Sequence, residues 1–65
     1  MDKVYIIKDL NSSYPYFIND SRGSWDSDIT NAMEFKTQQE AIDKINELKI
    51  PYTIIVEIFI NKEEV

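Results

Sequence analysis

The chain has 65 residues, with 7 basic against 12 acidic side chains and a formal net charge of −5. A chain of that length makes one domain, buries about 60% of the surface its unfolded form exposes, and has a stability margin of a few kcal/mol. The absence of cysteine and histidine excludes disulfides and thiol chemistry and removes the commonest general base and metal ligand.

The basic residues are scattered and no two are adjacent. Nucleic-acid binding needs a basic patch that displaces counterions from phosphates, so direct contact with DNA or RNA is not expected. The apolar run at Val4-Tyr5-Ile6-Ile7 is too short for a signal peptide, and the run from Ile54 to Ile60 is too short to span a bilayer and is interrupted by Glu57. These features, with no cysteine, lead us to expect a cytoplasmic protein without a membrane partner.

In chain order, Lys3 to Leu10 reads as a first strand, rich in β-branched and aromatic residues. Asn11-Ser12-Ser13 reads as a turn. Tyr14 to Asn19 reads as a second strand, with Pro15 at its start or on an edge because proline has no ladder donor. Alternation puts Tyr14, Tyr16 and Ile18 on one face and Phe17 on the other. Asp20-Ser21-Arg22-Gly23 has turn chemistry, and Gly23 is the chain's only glycine, so a hairpin with a positive φ is expected there. Trp25 begins a third, short strand or a turn, and Ala32 to Phe35 leads into a helix.

Thr37-Gln38-Gln39-Glu40 matches a capping box. The threonine oxygen accepts an orphan N–H, and Glu40 is expected to reach back to the Thr37 N–H. Ala41, Ile42, Ile45 and Leu48 form an apolar stripe at helical spacing, and Glu40 with Lys44 makes an i,i+4 pair of favourable order. Pro51 ends the helix. Tyr52 to Ile60 is the last strand. Tyr52, Ile54, Val56, Ile58 and Ile60 share one face, and Thr53, Ile55, Glu57, Phe59 and Asn61 make the other, which is half hydrophobic. One face is expected under the helix, and the half-hydrophobic one under the Trp25 region, a second chain or a partner. A strand this apolar belongs in a sheet interior. The polar tail 61–65 is expected to fray.

The predicted fold is a small α+β domain spanning 1–65, of order β-β-β-α-β. Its sheet is antiparallel, or mixed if the helical crossover brings the last strand parallel to the first, and one helix covers one face.

Chemistry-bearing motifs are few. A calcium loop starting at Asp26 would need glycine at its sixth position and glutamate at its twelfth. Asn31 and Thr37 stand there, so Asp26-Ser27-Asp28 reads as an acidic turn and no metal or cofactor is expected. There is no glycine-rich phosphate loop, and Ser12, Ser13, Ser21, Ser24 and Ser27 have no histidine base. Glu57 is the one carboxylate set in an apolar strand, and burial there would make it a site candidate. No catalytic residue is assigned. Phe17, Phe35 and Trp25 are candidates for the core, while Tyr14 and Tyr16 suit core and contact surface equally. The candidate binding set is Tyr14, Tyr16, Asp20, Arg22, Trp25, Asp26, Asp28, Asp43 and Glu47, with Glu34 adding to the acidic surface.

Trp25, Ala32, Phe35, Thr37, Glu40 and Ala41 together resemble a pattern in short proteins encoded by bacteriophages and prophages of low-GC Gram-positive bacteria. That pattern is tryptophan, a spacer, Ala-x-x-Phe-x-Ser/Thr-x-x-Glu-Ala, then a helix and a final strand. The resemblance implies a non-catalytic module that binds and inhibits a bacterial protein, including nucleic-acid-binding defence effectors of the CRISPR kind. The alternative expectation is a structural or accessory phage protein that self-associates, as a homodimer, through a sheet edge or the second apolar face.

Overall fold

The computed structural model describes residues 3–18 and 24–60. The expected Gly23 turn, the candidates Asp20 and Arg22, and the tail 61–65 lie outside those residues. The described elements are β1 (Lys3–Asp9), β2 (Tyr16–Phe17), β3 (Trp25–Asp26), a 3-10 turn (Ile29–Asn31), α1 (Gln38–Leu48) and β4 (Thr53–Phe59). They make the expected small α+β domain, with one antiparallel sheet of strand order β3-β2-β1-β4. The second strand is shorter than predicted, and Tyr14 and Pro15 belong to the connection before it. Pro15 still contributes its carbonyl, which accepts from the Asp9 N–H at 2.7 Å.

β4 lies beside β1 and antiparallel to it, from Lys3↔Phe59 to Asp9↔Thr53, so the sheet is antiparallel throughout and the mixed alternative does not occur. One placement differs from expectation: β4 is an edge strand, where its composition suggested an interior one. This follows from what occupies the other side of β1. There, β2 pairs only at Lys8↔Tyr16 and then diverges. Residues 33–35 fill the gap: the Met33 N–H donates to the Phe17 carbonyl (2.8 Å), and Tyr5 and Phe35 exchange both backbone hydrogen bonds (2.9 and 2.8 Å). With that side taken, β4 has the outer side of β1 left to it.

The same wedge carries the chain from one face of the sheet to the other. Before it, Ile29 and Ala32 pack with Val4, Ile6, Tyr16, Val56 and Ile58. After it, Phe35 and α1 join the opposite face with Ile7, Phe17, Trp25 and Ile55. Ile6 and Ile7, consecutive on a strand and pointing to opposite faces, are therefore both fully buried. The helix covers the half-hydrophobic face of β4, with Trp25 beside it, and among the described residues the more apolar face is covered by the 3-10 turn segment.

The helix starts as its capping box dictates. The Thr37 side chain accepts from the Glu40 N–H (3.2 Å), but the Glu40 carboxylate takes the N–H of Lys36 (3.0 Å), one residue before the expected one. Ala41 is buried, and Ile45 and Leu48 pack on the same cluster. The helix ends before Pro51 can act on it. Lys49 adopts the left-handed conformation (φ 54°, ψ 50°), and the Ile50 N–H returns to the Ile45 carbonyl at 3.2 Å, a Schellman-type closure. Tyr52 is the second non-glycine residue with positive φ (58°).

Two stability changes follow. Lys49→Gly removes the Cβ penalty of the left-handed position and is expected to stabilise the chain by about 0.5–1 kcal/mol, raising Tm by several degrees in a calorimetric scan. Phe35→Ala keeps the backbone bridge to Tyr5 but empties a buried aromatic site. It is expected to cost about 3–5 kcal/mol, enough to leave the chain largely unfolded at 25 °C by circular dichroism and urea titration.

Candidate functional site: an open strand edge and a rim pocket

The described predicted site residues do not share one surface. Tyr14 is exposed in the β1–β2 connection, where its N–H donates to Ser12 Oγ (3.0 Å). Tyr16 is half-buried on the face opposite the helix, with Lys8 Nζ 5.8 Å from its ring centroid, and Asp26 sits across from it in register. Trp25 belongs to the helix-side core and meets Phe17 edge-on at 5.5 Å. Asp43 and Glu47 lie on the exposed part of α1, occupied with Gln39 (2.9 Å) and Lys44 (2.9 Å) respectively.

The acidic turn uses its carboxylates on its own backbone. Asp26 accepts from the Asp28 N–H (2.7 Å), and Asp28 accepts from the Thr30 N–H (3.0 Å), capping the 3-10 turn. That backbone bond, with a further one from the Thr30 side chain, holds the Asp28 carboxyl below its ordinary pKa, against a small opposing effect of desolvation. Among the described residues no group of three or more potential ligands is arranged to hold a metal ion.

Glu57 is neither deeply buried nor free. It lies on the helix side of the sheet, half-buried, 3.3 Å from Lys3 Nζ and 3.1 Å from the Tyr5 hydroxyl, which donates to it. The hydrogen bond to Glu57, the carboxylate's charge and desolvation all raise the Tyr5 pKa above its ordinary 10.0, with Lys3 opposing. Tyr5 thus keeps its proton throughout the neutral range.

Two features stand out that the predicted site residues do not include. The first is the outer edge of β4. The Leu10 N–H donates to the Tyr52 carbonyl (3.1 Å), in the same register as β1 with β4. Alternation then turns the backbone groups of Ile54, Val56 and Ile58 towards β1 and those of Thr53, Ile55, Glu57 and Phe59 outwards. Among the described residues nothing bonds those outward groups. Beside this edge, Ile54 is 43% exposed. The second feature is a pocket of about 240 Å³ at the rim of the helix side, lined by Asp9, Asn11, Trp25, Ile50, Pro51 and Tyr52.

No protein-family model matches the chain, and no curated protein or solved structure is detectably similar to it. Among the described residues no helix is long and apolar enough to cross a membrane.

The Tyr5–Glu57 pair gives a pH prediction. A raised pKa in the folded state means that the contribution to stability is present in full below the ordinary tyrosine value and is lost as pH rises through the raised one. Phenolate absorbance is expected to show a late-titrating tyrosine that disappears in Tyr5→Phe and moves back towards the ordinary value in Glu57→Ala.

Proposed function

We propose that the chain is a non-catalytic protein-binding module that takes an extended segment of a bacterial protein onto the outer edge of β4. The observation that carries this reading is the outward row of backbone groups at Thr53, Ile55, Glu57 and Phe59, unbonded among the described residues. Such an edge is a template for strand addition, in which main-chain hydrogen bonds supply affinity and alternate side chains supply selectivity. Proteins usually blunt exposed edges with lysine, proline or bulges. Here β4 is Thr-Ile-Ile-Val-Glu-Ile-Phe, without lysine or proline, and its register with β1 is unbroken. The lone charge, Glu57, is drawn back onto Lys3.

The narrower reading, a phage-type inhibitor acting in the bacterial cytoplasm on a host or defence protein, rests on the resemblance carried by Trp25, Ala32, Phe35, Thr37, Glu40 and Ala41. The net charge of −5 favours a basic protein over a nucleic acid as partner. Self-association through the same edge is the second reading. A twofold axis at Val56 sets Thr53 opposite Phe59 and Ile55 opposite Glu57 of the other copy, with no like charges facing each other. Repulsion between two acidic bodies opposes it.

Glu57→Pro removes one outward donor at a position where an edge strand tolerates proline, and Glu57→Ala removes the side chain alone. Affinity capture from bacterial lysate is expected to retain a defined partner with wild type and Glu57→Ala and to lose it with Glu57→Pro. Identical retention by all three would sink strand addition. A wild-type dimer in light scattering that Glu57→Pro converts to monomer would establish self-association instead.

A further inference from the structure

We infer that the pocket between Trp25 and Tyr52 is a receptor for one arginine side chain of a protein partner. It is a separate site from the β4 edge and does not depend on strand addition.

Its size sets the first limit. At about 240 Å³ it lies below the range of pockets that enclose drug-sized molecules and suits the end of one side chain. Its lining sets the charge. Among the described residues, the ionisable ones lining it are Asp9 and Tyr52, and none is basic. Trp25 and Tyr52 add aromatic rings whose faces attract cations. Ile50 and Pro51 come just after Lys49, which closes the C-terminal end of α1, the end at which the helix dipole places negative partial charge. Carboxylate, rings and helix terminus thus favour the same sign of ligand. A planar guanidinium fits this lining better than an ammonium, because it stacks on aromatic faces and presents a donor fork to a carboxylate.

The pocket is also held in shape. Asp9 Oδ1 accepts from the Asn11 N–H at 2.9 Å, which orients the carboxylate. Trp25 is set edge-on against Phe17. Tyr52 sits at positive φ, a conformation that costs a bulky residue energy. Its carbonyl is tied to the Leu10 N–H, yet the residue is 73% exposed. The strained backbone places this ring at the pocket rim without burying it. Strain kept where the side chain gains no burial is typical of binding sites.

Trp25 is the only tryptophan in the chain, so its fluorescence reports on the site. The probe is acetyl-arginine amide at constant ionic strength, with acetyl-citrulline amide as its neutral isostere. A saturable change in the millimolar range is expected with arginine, and binding at least about fivefold weaker with citrulline. Asp9→Asn retains the oxygen that accepts the Asn11 N–H and is expected to weaken arginine binding about fivefold with little change in Tm. Tyr52→Ala is expected to weaken it comparably. An extended acetylated peptide, Thr-Val-Arg-Val-Thr, should bind more tightly than the capped amino acid. Equal responses to arginine and citrulline, wild-type binding by Asp9→Asn, or no saturable response would overturn the site. Equal affinity for peptide and capped arginine would overturn its assignment to a protein partner. Glu57→Pro is expected to keep the response to capped arginine, so failure of the edge and failure of the pocket are read separately.

Discussion

The structure depends on the backbone bridge between Tyr5 and Phe35. A chain with one helix cannot cover both faces of a sheet with helices, yet β1 buries Ile6 on one face and Ile7 on the other. The bridge resolves this by drawing the chain through the gap between β1 and the departing β2. Residues on its N-terminal side then cover one face and those on its C-terminal side cover the other. Both hydrophobic clusters meet at β1, which is paired on each edge and is the mechanical centre of the fold.

That arrangement also explains what is left uncovered. Ile29 and Ala32 reach the centre of the face opposite the helix, over Ile6 and Ile58, but Ile54 at its margin stays partly in water. With Phe35 and β2 on one side of β1, β4 takes the other and becomes an edge. The open edge is thus a consequence of how a short chain covers two faces. Its composition is a separate matter: a seven-residue strand without lysine or proline lacks the usual protection against pairing. That combination is what the proposed strand addition rests on.

Much of the local structure was legible in the sequence. Thr37, Glu40 and the stripe Ala41, Ile45, Leu48 mark the helix because capping and amphipathic periodicity act over a few residues. β1 and β4 are legible from their β-branched content. The position of β4 was not, because edge and interior strands differ in their neighbours and those are set by the distant Phe35. The face of β4 under the helix was misread for a related reason. Alternation ranks faces by apolarity, but when both are covered the ranking no longer says by what. The shift of the Glu40 bond from Thr37 to Lys36 is a one-residue change that the pattern alone does not determine. The motif from Trp25 to Ala41 proves to be structurally occupied: Ala32, Phe35 and Ala41 are buried, Thr37 and Glu40 cap the helix, and Trp25 packs on Phe17. These roles account for the pattern without a partner, so its bearing on function stays associational.

The features proposed for binding lie where single-residue signals are weakest. Asp9, Asn11, Pro51 and Tyr52 are unremarkable loop and strand-end residues, and the register of β1 with β4 brings them to one end of the sheet. Positive φ without glycine left no mark in the sequence at Lys49 or Tyr52, while the one glycine drew attention to another turn. Acidity was the wrong scale for finding a site. A charge of −5 spread over a small surface is weakly directive and screened by salt, and Asp26, Asp28, Asp43 and Glu47 are engaged in local bonds. One carboxylate beside two aromatic rings and a helix C-terminus concentrates the same preference for cations in a volume the size of one side chain. Tyr52 immediately precedes the first outward residue of the β4 edge, Thr53, so the pocket and the edge are contiguous along the chain.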